Sequence, residues 1–126
     1  MTINNAELFV RGLWDWAIIA DCFPGKIVPT DIDGFVEMNG RFLFLETKQV
    51  SAGIPLGQEI LFKRCAQRGD VVVVIWGERG VPERLRLYNR FYIEGHDLEL
   101  GDLFQLQKLC VLFVEYAREN PHPNCK

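Results

Sequence analysis

The sequence predicts an α/β domain with a mixed central β-sheet flanked by helices, and three observations carry that reading. Apolar residues recur at near-helical spacing in three segments, while shorter strand-like runs lie between them. Asn39-Gly40 separates two apolar segments, the strongest short hairpin signal a sequence offers. Val71 to Trp76 is a short continuous apolar run that follows a helical stripe, as expected for a strand covered on both faces and reached by a crossover helix.

Taken in order, Asn4 or Asn5 caps an expected helix over about residues 5–20, with Leu8, Val10, Leu13, Trp14, Ala17 and Ile18 on its apolar stripe. Cys22-Phe23-Pro24-Gly25 breaks it. Lys26 to Val28 and Asp31 to Met38 lead to the Asn39-Gly40 turn and to the run Arg41 to Lys48. After Gly53-Ile54-Pro55, the stripe Leu56, Ile60, Leu61, Cys65 and Ala66 predicts a helix stopping at Gly69. Gly77 to Pro82 is expected to turn the chain, Arg84 to Ile93 to form one or two further strands, and Leu100 to Arg118 a long helix.

At 126 residues the chain has the length of one domain, large enough to bury about two-thirds of its unfolded surface, so a single domain over 1–126 is expected. Its 48% hydrophobic and 25% charged residues are globular values. The formal net charge of −3 does not mark a nucleic-acid binder, whose domains are usually basic. Cations nonetheless concentrate locally: Lys26, Arg41, Lys48, Lys63, Arg64 and Arg68, followed by Arg79, Arg84, Arg86 and Arg90. Cys22, Cys65, Cys110 and Cys125 are widely spaced and lie near neither His96 nor His122, which argues against structural zinc. No Ser-His-Asp or Cys-His set and no P-loop can be assembled. With no secretory signal and no apolar run of about 20 residues, a cytoplasmic protein with reduced thiols and no membrane contact is expected.

The chemistry concentrates on one strand. Glu46 and Lys48 are two apart in an otherwise apolar run, so alternation puts an acid and a base on one face. The hairpin brings Asp33, at the start of the preceding strand, close to Glu46. Two adjacent carboxylates repel unless a cation lies between them, and oxygen ligands without His or Cys favour Mg2+ or Mn2+. Lys48 would then stand where it can orient or deprotonate a water and stabilise charge developing on a phosphate.

This arrangement resembles the PD-(D/E)XK nuclease superfamily, on the strength of Asp33, Glu46, Thr47 and Lys48, with Gln58 on the following helix. The order of elements over about residues 5–77 agrees: helix, strand with an acid, hairpin, strand ending in Glu-x-Lys, helix, strand. The resemblance implies a restriction-endonuclease-like αβββαβ core. It implies Asp33, Glu46 and the Thr47 carbonyl as metal ligands, Lys48 as the residue that positions the attacking water, and Gln58 as a support. Glu7 matches an acid that resolvase-like members add from their first helix; a solvent-facing acid in a first helical turn is the other reading. Asp31 competes with Asp33, because it lies nearer Pro29, and the pattern departs from the family in having Pro29-Thr30-Asp31. Glu37 is expected to be an exposed hairpin charge.

The implied function is metal-dependent endo- or exonucleolytic hydrolysis of DNA phosphodiester bonds, in repair or recombination and of phage or mobile-element origin, with a junction, a flap, a free end and a simple duplex all open as substrate. The alternative is a catalytically inactive module of the same fold that binds protein or nucleic acid. Junction cutting would require a homodimer, with the apolar C-terminal helix as its expected surface. Trp14, Trp16, Phe42, Phe44, Phe62 and Trp76 are read as core packing in preference to base-stacking platforms, although Trp14 and Trp16 cannot share a helix face, which leaves one of the two exposed and open to a partner or a dimer seam.

Overall fold

The computed structural model describes residues 12–125. The chain divides into two compact units, residues 1–31 and 32–126. In the first, the second half of the expected helix is instead a 3-10 segment, Trp16–Cys22. Asp15 is the reason: it is extended (φ −93°, ψ 114°) and its side chain accepts from the Ala17 N–H, so a fresh capped turn starts there. Trp14 and Trp16 are both exposed, not core, since the 3-10 segment buries none of its residues, and Lys26 to Val28 has no regular structure. Glu7 and the start of the expected helix lie outside the described residues.

The second unit holds a five-stranded sheet in the order β1-β2-β3-β4-β5. Its strands are β1 (Gly34–Met38), β2 (Arg41–Lys48), β3 (Val71–Glu78), β4 (Val81–Tyr88) and β5 (His96–Asp97). The β2–β3 pair is parallel and the other pairs are antiparallel, so the sheet is mixed as expected. Helix α1 (Leu56–Gln67) makes the crossover between β2 and β3, and α2 (Leu103–Glu119) ends the unit. Among the described residues two strands, not three, precede α1.

Asn39 (φ 52°) and Gly40 (φ 78°) form the left-handed two-residue turn that the sequence announced. The β3–β4 connection is tighter than Gly77 to Pro82 suggested. It is another two-residue turn, Arg79 (φ 50°) and Gly80 (φ 78°), and Gly77 and Pro82 are paired within the strands beside a bulge at Trp76/Gly77. Only edge strands tolerate such a proline, unless a bulge frees its missing donor. After β4, the Asn89 side chain accepts from the N–H groups of Phe91 and Tyr92 and turns the chain, so the Arg84–Ile93 segment is one strand and a loop.

Every residue from Val71 to Val74 is buried, because both faces of β3 are covered. One face packs Leu43, Val71, Val73, Leu85 and Leu87 against Phe113 and Ala117 of α2. The other packs Val72, Val74, Trp76 and Tyr88 against Phe62 and Ala66 of α1. Each buried Val, Leu or Phe side chain contributes roughly 1.5–3 kcal/mol by leaving water. Phe42 and Phe44 are half-buried and form an aromatic cluster with Phe35, the three ring centroids lying 6.0–6.5 Å apart. Several cations have structural partners: Arg41 donates to the carbonyls of Asn120 and Arg68, and Lys63 pairs with Glu94 at 2.7 Å and with Glu59 at 3.8 Å. Asp102 caps α2 by accepting from the Gln105 N–H. No described helix is long and apolar enough to cross a membrane.

Candidate metal-binding and catalytic site

The alternation of β2 sends Phe44, Glu46 and Lys48 to the face covered by α1, and Leu43 and Leu45 to the face covered by α2. Glu46 lies opposite Val74, and Lys48 opposite Trp76. Both charged side chains are therefore built onto a packed apolar surface, and only 15% and 13% of their side-chain areas remain exposed. Charges so placed need partners. Lys48 Nζ lies 3.7 Å from Glu46 Oε1, and Gln58, in the first turn of α1, spans the two. The ammonium donates to Gln58 Oε1, and Gln58 Nε2 donates to Glu46 Oε1 at 3.5 Å.

Asp33 immediately precedes β1. Since Gly34 pairs with Leu45, the next rung sets Asp33 against Glu46. Its carboxylate is fixed across the hairpin: Oδ2 accepts from the Thr47 N–H at 2.8 Å and from Thr47 Oγ1 at 3.1 Å. Burial pushes the Glu46 carboxyl above its usual range and the Asp33 charge pushes it further, while Lys48 and Gln58 pull it back. The net effect favours a proton, or another cation, on Glu46.

The structure thus brings together Asp33, Glu46, Thr47, Lys48 and Gln58 within one unit. Asp31 belongs to the other unit and accepts from the Trp16 indole N–H at 3.0 Å. Glu37 accepts from the Gly40 N–H at 2.7 Å, a hairpin contact as expected. Among the described residues no three His, Cys, Asp or Glu side chains converge as a metal cage. The donor set is two carboxylates, one exposed and one half-buried, which suits Mg2+, an ion usually held by one or two carboxylates with water completing its shell.

Sequence reasoning missed the part played by Trp76. It was read as core, and it is buried, but it also lies beneath this site: it neighbours Lys48, and its indole N–H donates to Ala52 O in the segment after β2. The only signal in the sequence was its position at the end of the apolar β3 run; its alignment with Lys48 comes from the parallel register. A groove of about 440 Å³ runs beside the ends of β2 and β3, lined by Thr47, Lys48, Gln49, Arg79, Pro82 and Leu106 among others. Another cavity, about 290 Å³, lies between β4 and α2, lined by Asn89, Arg90, Leu109 and Tyr116 among others and by none of the candidate site residues. No protein-family model, curated protein or solved structure matches the chain.

Proposed function

We propose that the protein is a Mg2+- or Mn2+-dependent deoxyribonuclease with a restriction-endonuclease-like core of the PD-(D/E)XK type. The observation that carries this reading is the coupling of Asp33 and Glu46 across a hairpin, next to a largely buried lysine held by Gln58. Such coupling is costly in a purely structural position and useful in one that takes a divalent cation.

Asp33 and Glu46, with the Thr47 carbonyl, would hold the ion. When bound, it supplies positive charge at the phosphate and makes water more acidic. The chain's own residues do the rest. Thr47 holds the Asp33 carboxylate in place through two hydrogen bonds. Lys48 would keep its ammonium at the same end of β2, where it could orient a water for in-line attack and offset charge on the phosphate. Gln58 fixes the Lys48 ammonium, and the packed Trp76 beneath limits its alternatives.

A second reading, an inactive module that binds without chemistry, is favoured by one feature: Glu46, Lys48 and Gln58 already satisfy one another. The two readings separate on labelled linear duplex, single-stranded, flap and four-way-junction DNA incubated with Mg2+, Mn2+ or chelator. Metal-dependent cutting of at least one substrate supports the nuclease and identifies its substrate class; intact DNA throughout leaves the binding module.

A further inference from the structure

The strand register extends the candidate site sideways. Lys48 of β2 pairs with Trp76 of β3, and Trp76 pairs with Arg84 of β4, so the three form one rung across the sheet on the face that α1 covers. The Arg84 guanidinium lies 4.1 Å from the centroid of the Trp76 ring. That ring cannot move away, since Trp76 is 1% exposed and tied to Ala52. Stacking on a buried aromatic orients a guanidinium while leaving its donor edge in water, and half of the Arg84 side chain is exposed.

The charge balance of this rung points outward. Arg84 and the next arginine on the same face of β4, Arg86, share one carboxylate: Asp97 Oδ1 lies 3.4 Å from Arg84 and 3.5 Å from Arg86. Asp97 belongs to the two-residue edge strand β5 and is itself half-exposed. Two guanidiniums on one exposed carboxylate leave a surplus positive charge, and exposed pairs of this kind are worth only about 0–1 kcal/mol. A phosphodiester offers a guanidinium a bidentate partner that competes readily with such a pair.

We propose that Arg84, presented by Trp76, is a phosphate-binding residue that holds the DNA backbone beside the candidate site, with Asp97 occupying it in the free protein. The nuclease reading above supplies the DNA on which this inference rests. Two strand spacings of about 4.8 Å put Arg84 roughly 10 Å from Lys48. That separation is too large for one phosphate to meet both cations and suits a neighbouring phosphate of the same strand. The rung therefore sets the direction in which a strand crosses the sheet, from β2 towards β4.

Fluorescence anisotropy of labelled duplex and single-stranded DNA in chelator, over a range of salt, measures binding without cutting. Arg84→Gln is expected to weaken binding roughly tenfold, as for loss of a charge-assisted hydrogen bond, and to reduce the slope of log K against log salt by about 1. Arg84→Lys is expected to keep the slope while losing affinity, because charge survives and the planar stack does not. Asp97→Asn is expected to tighten binding several-fold, a gain that misfolding does not produce. Unchanged affinity and slope in Arg84→Gln, together with no gain in Asp97→Asn, would overturn the proposal, as would a wild type that binds no DNA. Cleavage by the wild type in Mg2+ is scored separately: binding that follows this pattern without cutting defeats the nuclease reading and leaves the Arg84 contact standing.

Discussion

Replacing Glu46 by Gln should stabilise the metal-free protein and abolish its stabilisation by divalent cations. Side chains opposite one another on antiparallel strands sit about 5 Å apart, so two carboxylates there repel by about 0.8 kcal/mol at the dielectric of water and about 3 kcal/mol at an effective value of 20. Asp33 is exposed, which favours the lower figure, and the lost pairing of Glu46 with Lys48 subtracts from it. The net gain at neutral pH is below about 1 kcal/mol. An unfolding entropy of about 2.1 cal/mol/K per residue over 126 residues makes 1 kcal/mol worth about 4 °C, so the variant should melt about 2 °C higher in chelator.

The pH dependence follows from the sign of the shift. Burial and Asp33 raise the Glu46 carboxyl above its ordinary value, so the native state holds this proton more tightly than the unfolded chain does. That contribution is fully present below the unfolded value and is lost as pH rises through the raised folded one. The variant's advantage should therefore open above that window and close in acid. A divalent cation at 100 times its Kd adds about 2.7 kcal/mol to the wild type, roughly 10 °C, and nothing to Glu46→Gln. Differential scanning calorimetry in chelator and in Mg2+ or Mn2+ reads both effects. Equal metal-induced gains in the two proteins, or a Glu46→Gln variant less stable than wild type in chelator, would refute the reasoning.

Gln58→Ala should cost about 1–2 kcal/mol by removing a charge-assisted hydrogen bond from Lys48, read as a lower urea midpoint with an unchanged m-value. Asp70→Ala should cost about 1–3 kcal/mol, because the buried Asp70 carboxylate accepts from the Phe42 N–H at the start of β2 and that donor would be left unpaired. Asp102→Ala should cost about 1 kcal/mol through loss of the α2 cap, measured the same way, and should leave the metal-induced shift intact.

Legibility in the sequence tracked how local each cause was. The Asn39-Gly40 turn, the run Arg41 to Lys48, the crossover helix and the buried Val71 strand were readable because turn chemistry, alternation and apolar periodicity lie within a dozen residues of one another. That same hairpin was enough to set Asp33 beside Glu46, and alternation was enough to put Lys48 with it. Side-chain hydrogen bonds undid the readings that failed. Asp15 recapped the chain where a continuous stripe predicted α-helix, and Asn89 bent it where apolar residues predicted strand. The Lys48–Trp76–Arg84 rung was out of reach for a different reason. It depends on a parallel register set by a crossover and on a bulge at Trp76/Gly77, neither of which leaves a short-range mark.

Single-turnover cleavage of end-labelled DNA in saturating Mg2+, comparing wild type with Glu46→Gln and Lys48→Ala, distinguishes a metal-dependent nuclease from an inert domain. Chelator-sensitive product from the wild type, with the rate falling by a factor on the order of 100 or more in each variant, is the predicted result. Product that forms at equal rates in all three proteins, or in none of them, would contradict it.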